Sequence, residues 1–126
     1  MPPRSSPKPT PAELEILQVL WTRGPSTVRE VAGELGRAQA YTTILKLMQI
    51  MADKRLVKRE EESRAHVYRA VMAKQHMQLR LVKDLAERAF GGSMFSLLQQ
   101  AVSGASASKE ELRALRELIE REERSK

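Results

Sequence analysis

Two capping signals place the beginnings of two short helices near the start of the chain, and they limit what its first half can fold into. In TPAE (10–13), the threonine and the glutamate can close a capping box, with proline at the favoured first helical position. Thr27 and Glu30 can form a second box. Residues 23–25 (RGP) should end the first helix, and Gly36 can cap the end of the second.

A third helix is predicted over residues 38–53, where apolar residues recur at the i, i+3, i+4 and i+7 positions of one helical face. That face should pack on the two preceding helices, and it consists of Ile44, Leu47, Met48 and Met51. The opposite face is polar, and it carries Thr42, Lys46, Gln49 and Asp53. An amphipathic helix of this kind buries one face and leaves the other free.

Two short strands are predicted next, over residues 56–59 and 65–69, and the polar residues 60–63 have the length of a hairpin connection. Three helices followed by a hairpin is the order of a winged helix-turn-helix. The sequence therefore predicts a mainly α fold with a small β-hairpin wing, in which a winged helix-turn-helix domain spans residues 10–71. Residues 1–9, rich in proline and serine, are predicted to be a disordered arm.

Beyond residue 71 the pattern is entirely helical, with helices predicted over about 73–89, 94–102 and 108–124. Their apolar faces are more than one small three-helix cluster can hide. The surplus predicts a helical dimerisation domain over residues 72–126, which would pair two copies of the chain. The predicted dimerisation residues are Leu81, Leu85, Leu97, Leu98, Leu112, Leu115, Leu118 and Ile119.

The composition excludes several classes of site. With no cysteine, the chain has no disulfide or thiolate metal site. Its two histidines, His66 and His76, lie in different predicted elements, so neither an enzyme nor a metal or other cofactor is predicted. No apolar run could span a bilayer and no secretory signal is recognisable, which predicts a cytoplasmic protein without membrane insertion. The single tryptophan, Trp21, is predicted to be largely buried near Leu56 and the hairpin base.

The third predicted helix is the candidate for DNA reading, because the second helix of a helix-turn-helix enters the major groove by its N-terminal part. Threonine and lysine can reach base edges or phosphates, and glutamine can pair with adenine. In the wing, Lys58 and Arg64 are candidates for backbone contacts, although the glutamates at 60–62 repel phosphate. The predicted DNA-binding residues are Tyr41, Thr42, Thr43, Lys46, Gln49, Lys58 and Arg64.

Other interpretations stay open at this point. The two threonines could serve only to start the helix, and Lys46 could be ordinary solvated surface. A winged helix that binds protein instead of DNA is the main alternative function, because a fold does not fix a function. The net charge of +6 favours an anionic partner such as DNA. An adaptor for anionic membranes is disfavoured, because the last helix mixes glutamates with its basic residues.

Four segments resemble the BlaI/MecI-type penicillinase repressor family: TPAELEILQVLW (10–21), TVREVAGEL (27–35), AYTTILKLMQ (40–49) and RAHVYRA (64–70). The resemblance implies a winged-helix DNA-binding domain followed by a helical dimerisation domain. It also implies a homodimer that represses transcription from a palindromic operator. In the family, release commonly follows proteolysis under the control of a membrane sensor protease, which the resemblance makes a candidate partner.

The sequence departs from the family pattern at several positions. The family's third helix usually carries an Arg-Leu pair where this chain has Ile50 and Met51, and it often has glycine near Arg55. Residues 98–101 (LQQA) occupy about the place of the Asn-Phe bond that is cut in some members. The C-terminal cysteine motif of the copper-responsive branch is missing. The resemblance therefore leaves the operator sequence and the inducing signal open.

Overall fold

The computed structural model describes residues 8–36, 40–62, 65–104 and 107–126. In these ranges a three-helix segment is followed by a two-stranded antiparallel hairpin and three further helices. The elements are α1 (Pro11–Arg23), α2 (Val28–Glu34), α3 (Tyr41–Asp53), β1 (Val57–Glu62), β2 (Ala65–Ala70), α4 (Lys74–Ala89), α5 (Met94–Gly104) and α6 (Lys109–Ser125). The prediction of a mainly α fold, with a winged helix followed by a helical region, is confirmed.

Local capping starts the helices as the sequence predicts. Before α1, the Glu13 amide donates to the Thr10 hydroxyl at 3.2 Å, and the Thr10 amide donates to Glu13 Oε1 at 2.9 Å. Before α2, the Glu30 amide donates to the Thr27 hydroxyl at 3.1 Å, and the Thr27 amide donates to Glu30 Oε1 at 2.9 Å. Gly36 follows α2 with a φ of 69°, the left-handed conformation that glycine adopts readily. These bonds satisfy amides that helix starts otherwise leave free.

The core of the winged-helix segment lies between α1, α2, α3 and the hairpin. Each helix contributes its apolar face, and the hairpin closes the remaining side. The buried residues are Ile16, Leu17, Leu20, Val28, Val31, Ala32, Ile44, Met48, Met51, Leu56, Val57 and Tyr68. Of the predicted apolar face of α3, Leu47 is only partly buried. The core therefore fixes the rotation of α3 about its own axis and turns its polar face outward.

A backbone bridge ties the hairpin to the helices. Ser26, between α1 and α2, donates its amide to the Tyr68 carbonyl at 2.9 Å, and Tyr68 donates to the Ser26 carbonyl at 2.8 Å. Trp21 is partly buried, and its indole N–H donates to the Met72 carbonyl at 2.9 Å, just beyond β2. These contacts hold β2 and the residues after it against α1.

The hairpin is longer than predicted. Its register runs from Val57 opposite Ala70 to Glu62 opposite Ala65, so the interpretation of residues 60–62 as part of a connection is wrong. Residue 63, the last of that predicted connection, lies outside the described residues. The neighbours of Glu60 and Glu61 lie on β2, which the pattern of β1 alone does not reveal. Glu60 Oε2 lies 3.6 Å from Arg69 Nη2, and Glu61 Oε2 lies 3.5 Å from His66 Nε2. Cross-strand contacts of this kind place basic side chains of β2 beside the acidic side chains of β1.

The turn between α3 and β1 contains an unusual backbone conformation. Arg55 has a φ of 66°, at the position after the helix cap where glycine is most common. The Leu56 amide donates to the Met51 carbonyl at 2.9 Å and the Arg55 amide to the Ala52 carbonyl at 3.0 Å, which closes the end of α3. An arginine here carries a conformational cost that glycine would avoid.

The chain divides into two compact units, Met1–Leu79 and Arg80–Lys126. The division falls within α4, beyond the predicted boundary at residues 71 and 72. In the second unit Gly91 and Gly92 have φ values of 57° and 83°, and they turn the chain between α4 and α5. The α6 helix begins with the predicted capping box between Ser108 and Glu111. Within the described residues, no helix is long and apolar enough to span a membrane.

Candidate nucleic-acid interface

The outer face of α3 carries the predicted groove-reading residues. Tyr41, Thr42, Thr43, Lys46 and Gln49 are all exposed. The face behind them is buried in the core, and it consists of Ile44, Met48 and Met51. The structure therefore brings these five side chains onto one accessible helix surface. Whether they contact DNA stays a prediction.

The first turn of α3 has no side-chain cap. Its cap position is Ala40, which has no side chain able to accept a hydrogen bond. Thr42 and Thr43 lie within the helix and not at its cap position. The interpretation that these threonines serve only to start the helix would require one of them at the cap. Amides at an uncapped helix start, together with the positive end of the helix dipole, favour an approaching anion. The start of α3 is thus suited to phosphate as well as to base edges.

An arginine of α2 lies against the start of α3. The guanidinium carbon of Arg29 is 5.2 Å from the ring centroid of Tyr41. Both residues line an open cleft of about 330 Å³, to which β2 contributes His66 and Tyr68. The sequence predictions omit Arg29, because its only signal is a position outside the apolar face of a very short helix. Its relation to Tyr41 depends on how α2 and α3 pack.

In the described part of the wing, basic side chains differ in whether an acidic side chain lies beside them. Lys58 is exposed on β1, opposite Arg69 in the ladder. Arg69 lies close to Glu60, and the pair is exposed, so it contributes little to stability. Arg64, the predicted contact at the tip, lies outside the described residues. Among the predicted wing contacts, Lys58 is therefore the one whose accessibility the structure establishes.

The second unit leaves much apolar surface uncovered within the described chain. Of the predicted dimerisation residues, Leu81, Leu97 and Leu115 are partly buried, and the others are exposed. The exposed ones are Leu85, Leu98, Leu112, Leu118 and Ile119. An apolar groove of about 610 Å³ lies between α5 and α6, and its walls include Leu98, Val102, Leu115 and Leu118. A surface of this kind is typical of an interface.

No metal centre is found among the described residues, where no group of three or more histidine, cysteine, aspartate or glutamate side chains is placed to hold an ion. His66 and His76 are both exposed. His66 has Glu61 as its neighbour, in a cross-strand contact rather than in a ligand set.

Comparison with known proteins covers most of the chain. A sequence model of the penicillinase repressor family matches residues 9–121. A protein of Mycobacterium tuberculosis named transcriptional regulator BlaI is 35% identical over 112 residues, which cover 84% of this chain and 81% of that protein, with the same figures in two strains. A penicillinase repressor of Staphylococcus aureus is 19% identical over 110 residues, which cover 86% of this chain and 87% of that protein. The family match extends from the residue before the Thr10 cap into α6.

Proposed function

This chain belongs to the penicillinase repressor family, and from that premise we propose that it is a homodimeric repressor of transcription that binds a palindromic operator in double-stranded DNA. The family consists of transcriptional regulators, and the prediction that the chain is not an enzyme is confirmed by this membership. A repressor must meet its operator where the chromosome is, so we place the protein in the cytoplasm.

The observation that carries this proposal is the exposed polar face at the start of α3. Thr42, Thr43 and Lys46 stand on a helix that the core holds rigidly from behind, with no side chain capping its first turn. A major groove is wide enough to admit one α-helix, and side chains of these types form hydrogen bonds with base edges and phosphates. Lys58 on the wing adds a contact to the DNA backbone.

Pairing of two chains supplies the second half of the proposal. The exposed apolar residues of α5 and α6 favour a two-fold interface, in which each copy covers the surplus surface of the other. Two copies of α3 would then lie about one helical turn of DNA apart, or a multiple of it. The second half-site binds at a high effective concentration, which raises the affinity of the dimer far above that of one unit.

Regulation by proteolysis follows from the same arrangement. A cut within residues 91–107 would separate α6 from the DNA-binding unit, and each half would then bind too weakly to repress. A membrane sensor protease is the candidate partner for this step. The glycine turn at Gly91 and Gly92 is exposed, which makes the backbone before α5 accessible. Incubation of the chain with its cognate protease, followed by mass spectrometry of the fragments, would locate the bond.

The groove assignment is tested by substitution on a known operator. The operator is first recovered from a random DNA pool, and fluorescence anisotropy then compares it with a scrambled duplex. Thr43→Ala and Lys46→Ala should each reduce the preference for the operator by about 1–3 kcal/mol per lost base contact. Thr22→Ala and Lys83→Ala change exposed residues of the same types on α1 and α4, and they should leave the preference unchanged.

The outcomes separate the two candidate functions. Unchanged operator affinity and selectivity in both α3 variants would show that the groove assignment is wrong. Binding to DNA should also weaken steeply between about 50 and 200 mM salt, because counterions are released from the phosphates. A winged-helix module that binds protein through apolar surface would show no such dependence and no retained DNA. Sedimentation as a monomer at micromolar concentration would contradict the proposed dimer.

A further inference from the structure

The contact between Arg29 and Tyr41 joins the two helices that a helix-turn-helix uses differently. The first helix of such a pair crosses the DNA backbone, while the second enters the major groove. Here α2 is the first helix and α3 is the second. Arg29 therefore stands on the element that passes over the backbone, beside the first residue of the element that enters the groove. Arg29 is not among the side chains predicted from the sequence to reach the DNA.

The position of the Arg29 guanidinium over the Tyr41 ring, 5.2 Å from the ring centroid, leaves the group able to bind an anion. A cation–π contact is an attraction to the ring face and pairs the guanidinium with no carboxylate, and the group carries five N–H donors in a planar fork. Those donors match the two oxygens of a phosphodiester in a bidentate arrangement. The ring also restricts the side chain, so less rotamer freedom is lost when a phosphate binds. Tyr41 thus prepares Arg29 for contact, whatever its hydroxyl does.

The electrostatic surroundings make Arg29 the cation of this cleft. Among the described residues that line the cleft, Arg29 is the one side chain with a permanent charge. The adjacent Glu30 is engaged elsewhere, because its carboxylate lies 2.8 Å from Arg23 and accepts the Thr27 amide. On the wing side, His66 faces Glu61 at 3.5 Å. Among the side chains described in residues 8–36, 40–61, 65–104 and 107–126, no ion pair links a carboxylate to Arg29.

From these observations, and resting on the proposed function, we infer that Arg29 binds a phosphate of the DNA backbone and that Tyr41 is a positioning residue that holds it there. The contact is independent of base sequence, since every nucleotide presents the same phosphate. Tyr41 acts by its ring face, so its hydroxyl is dispensable. This assigns Tyr41 a different role from the base or phosphate contact that the sequence alone predicts.

The test measures affinity for the recovered operator and for a scrambled duplex over a range of salt concentrations. Arg29→Ala should weaken both duplexes by the same factor, about tenfold per half-site, and reduce the salt slope by about one unit per half-site. Arg29→Lys keeps the charge but loses the planar donors, so its affinity should lie between that of the unsubstituted chain and that of Arg29→Ala. Tyr41→Phe should bind like the unsubstituted chain, while Tyr41→Leu should lose part of the affinity that Arg29→Ala loses.

A double variant shows whether the two residues act together. If Tyr41 works through Arg29, the Arg29→Ala/Tyr41→Leu chain should bind no more weakly than Arg29→Ala alone. Arg113→Ala removes one exposed arginine from α6, and it controls for the general loss of charge. Thermal unfolding of each variant confirms that it is folded before its affinity is compared.

Each outcome has a distinct meaning. An unsubstituted chain that retains no DNA would end the proposed function itself. A chain that binds DNA with strong salt dependence, but whose affinity is unaffected by Arg29→Ala, would overturn only the inference about Arg29. An equal loss in Arg113→Ala would assign the effect to overall charge and would overturn it too. A loss in Tyr41→Phe as large as that in Tyr41→Leu would show that the hydroxyl, not the ring face, is the group that matters.

Discussion

Replacement of Lys54 by methionine should destabilise the winged-helix unit through a carboxylate far away in the sequence. Glu13 is 2% exposed, and its two oxygens accept hydrogen bonds from Lys54 Nζ at 2.9 and 3.0 Å. The pair connects the start of α1 to the cap residue at the end of α3. In the Lys54→Met chain, the buried carboxylate keeps its bond from the Thr10 amide but has no counter-ion.

The magnitude follows from the burial of the two partners. Removal of one member of a fully buried ion pair costs about 3–5 kcal/mol, because a charge is left without compensation. The side chain of Lys54 is 26% exposed, so water can reach the site once the ammonium is gone. We therefore expect a loss of about 2–3 kcal/mol in the free energy of unfolding.

The double variant gives the sharper prediction. Glu13→Gln removes the charge and keeps an acceptor for the Thr10 amide, so the Glu13→Gln/Lys54→Met chain holds no uncompensated ion. It should be more stable than Lys54→Met alone, since a buried ion pair can often be replaced by neutral groups at little cost. A second substitution that restores stability is the signature of coupling between the two side chains.

Urea unfolding followed by tryptophan fluorescence suits this measurement, because the single tryptophan, Trp21, lies on α1 in the same unit. Lys46→Met is the matched control, since it changes an exposed lysine of the same helix and should shift stability by less than about 0.5 kcal/mol. The reasoning fails if Lys54→Met is as stable as the control. It fails equally if the double variant is the least stable of the set.

Two further predictions concern the ends of α2 and α3. Hydrogen bonding to the Thr27 amide, followed by the Arg23 side chain, lowers the pKa of Glu30 from 4.5. Because the pKa of Glu30 is lower in the folded state, its ionised carboxylate stabilises the fold at pH values above its unfolded pKa, and this contribution is lost as the pH falls through its folded pKa. Below about pH 4.5, the free energy of unfolding should therefore fall more steeply with decreasing pH than it does in Glu30→Gln. Arg55→Gly should raise the free energy of unfolding by about 0.5–1 kcal/mol, whereas Arg55→Ala should not, because alanine shares the left-handed penalty. Calorimetric scans at several pH values check the first expectation, and equal pH profiles for Glu30→Gln and the unsubstituted chain would contradict it. Urea titrations check the second, and a glycine variant less stable than the unsubstituted chain would contradict it.

The start of each capped helix could be read from the sequence because the decisive bonds are local. Thr10 and Glu13 lie three residues apart, as do Thr27 and Glu30, and a capping box needs nothing beyond that spacing. The buried face of α3 is set by the helical period in the same way, which is why its exposed polar face was predictable.

The extent of β1 required knowledge of its partner strand. Glutamates at 60–62 look like a loop when the strand is taken alone, since such residues have a low preference for strands. His66 lies opposite Glu61, and Arg69 lies diagonally across from Glu60, so the acidic side chains have basic neighbours and the ladder continues through them. Register and cross-strand contacts depend on both strands, so the pattern of one strand predicted an end at residue 59, three residues before the end of β1 at Glu62.

The contacts that position α3 were decided only by the tertiary structure. Lys54 meets Glu13 across 41 positions of the chain, and Arg29 meets Tyr41 because α2 and α3 pack side by side. No spacing rule connects such residues, since their distance depends on the crossing of helices and on the volume of the core between them. Local hydrogen bonds and periodicity therefore determined where the helices begin and which faces they bury, while packing determined which polar side chains came to share a site.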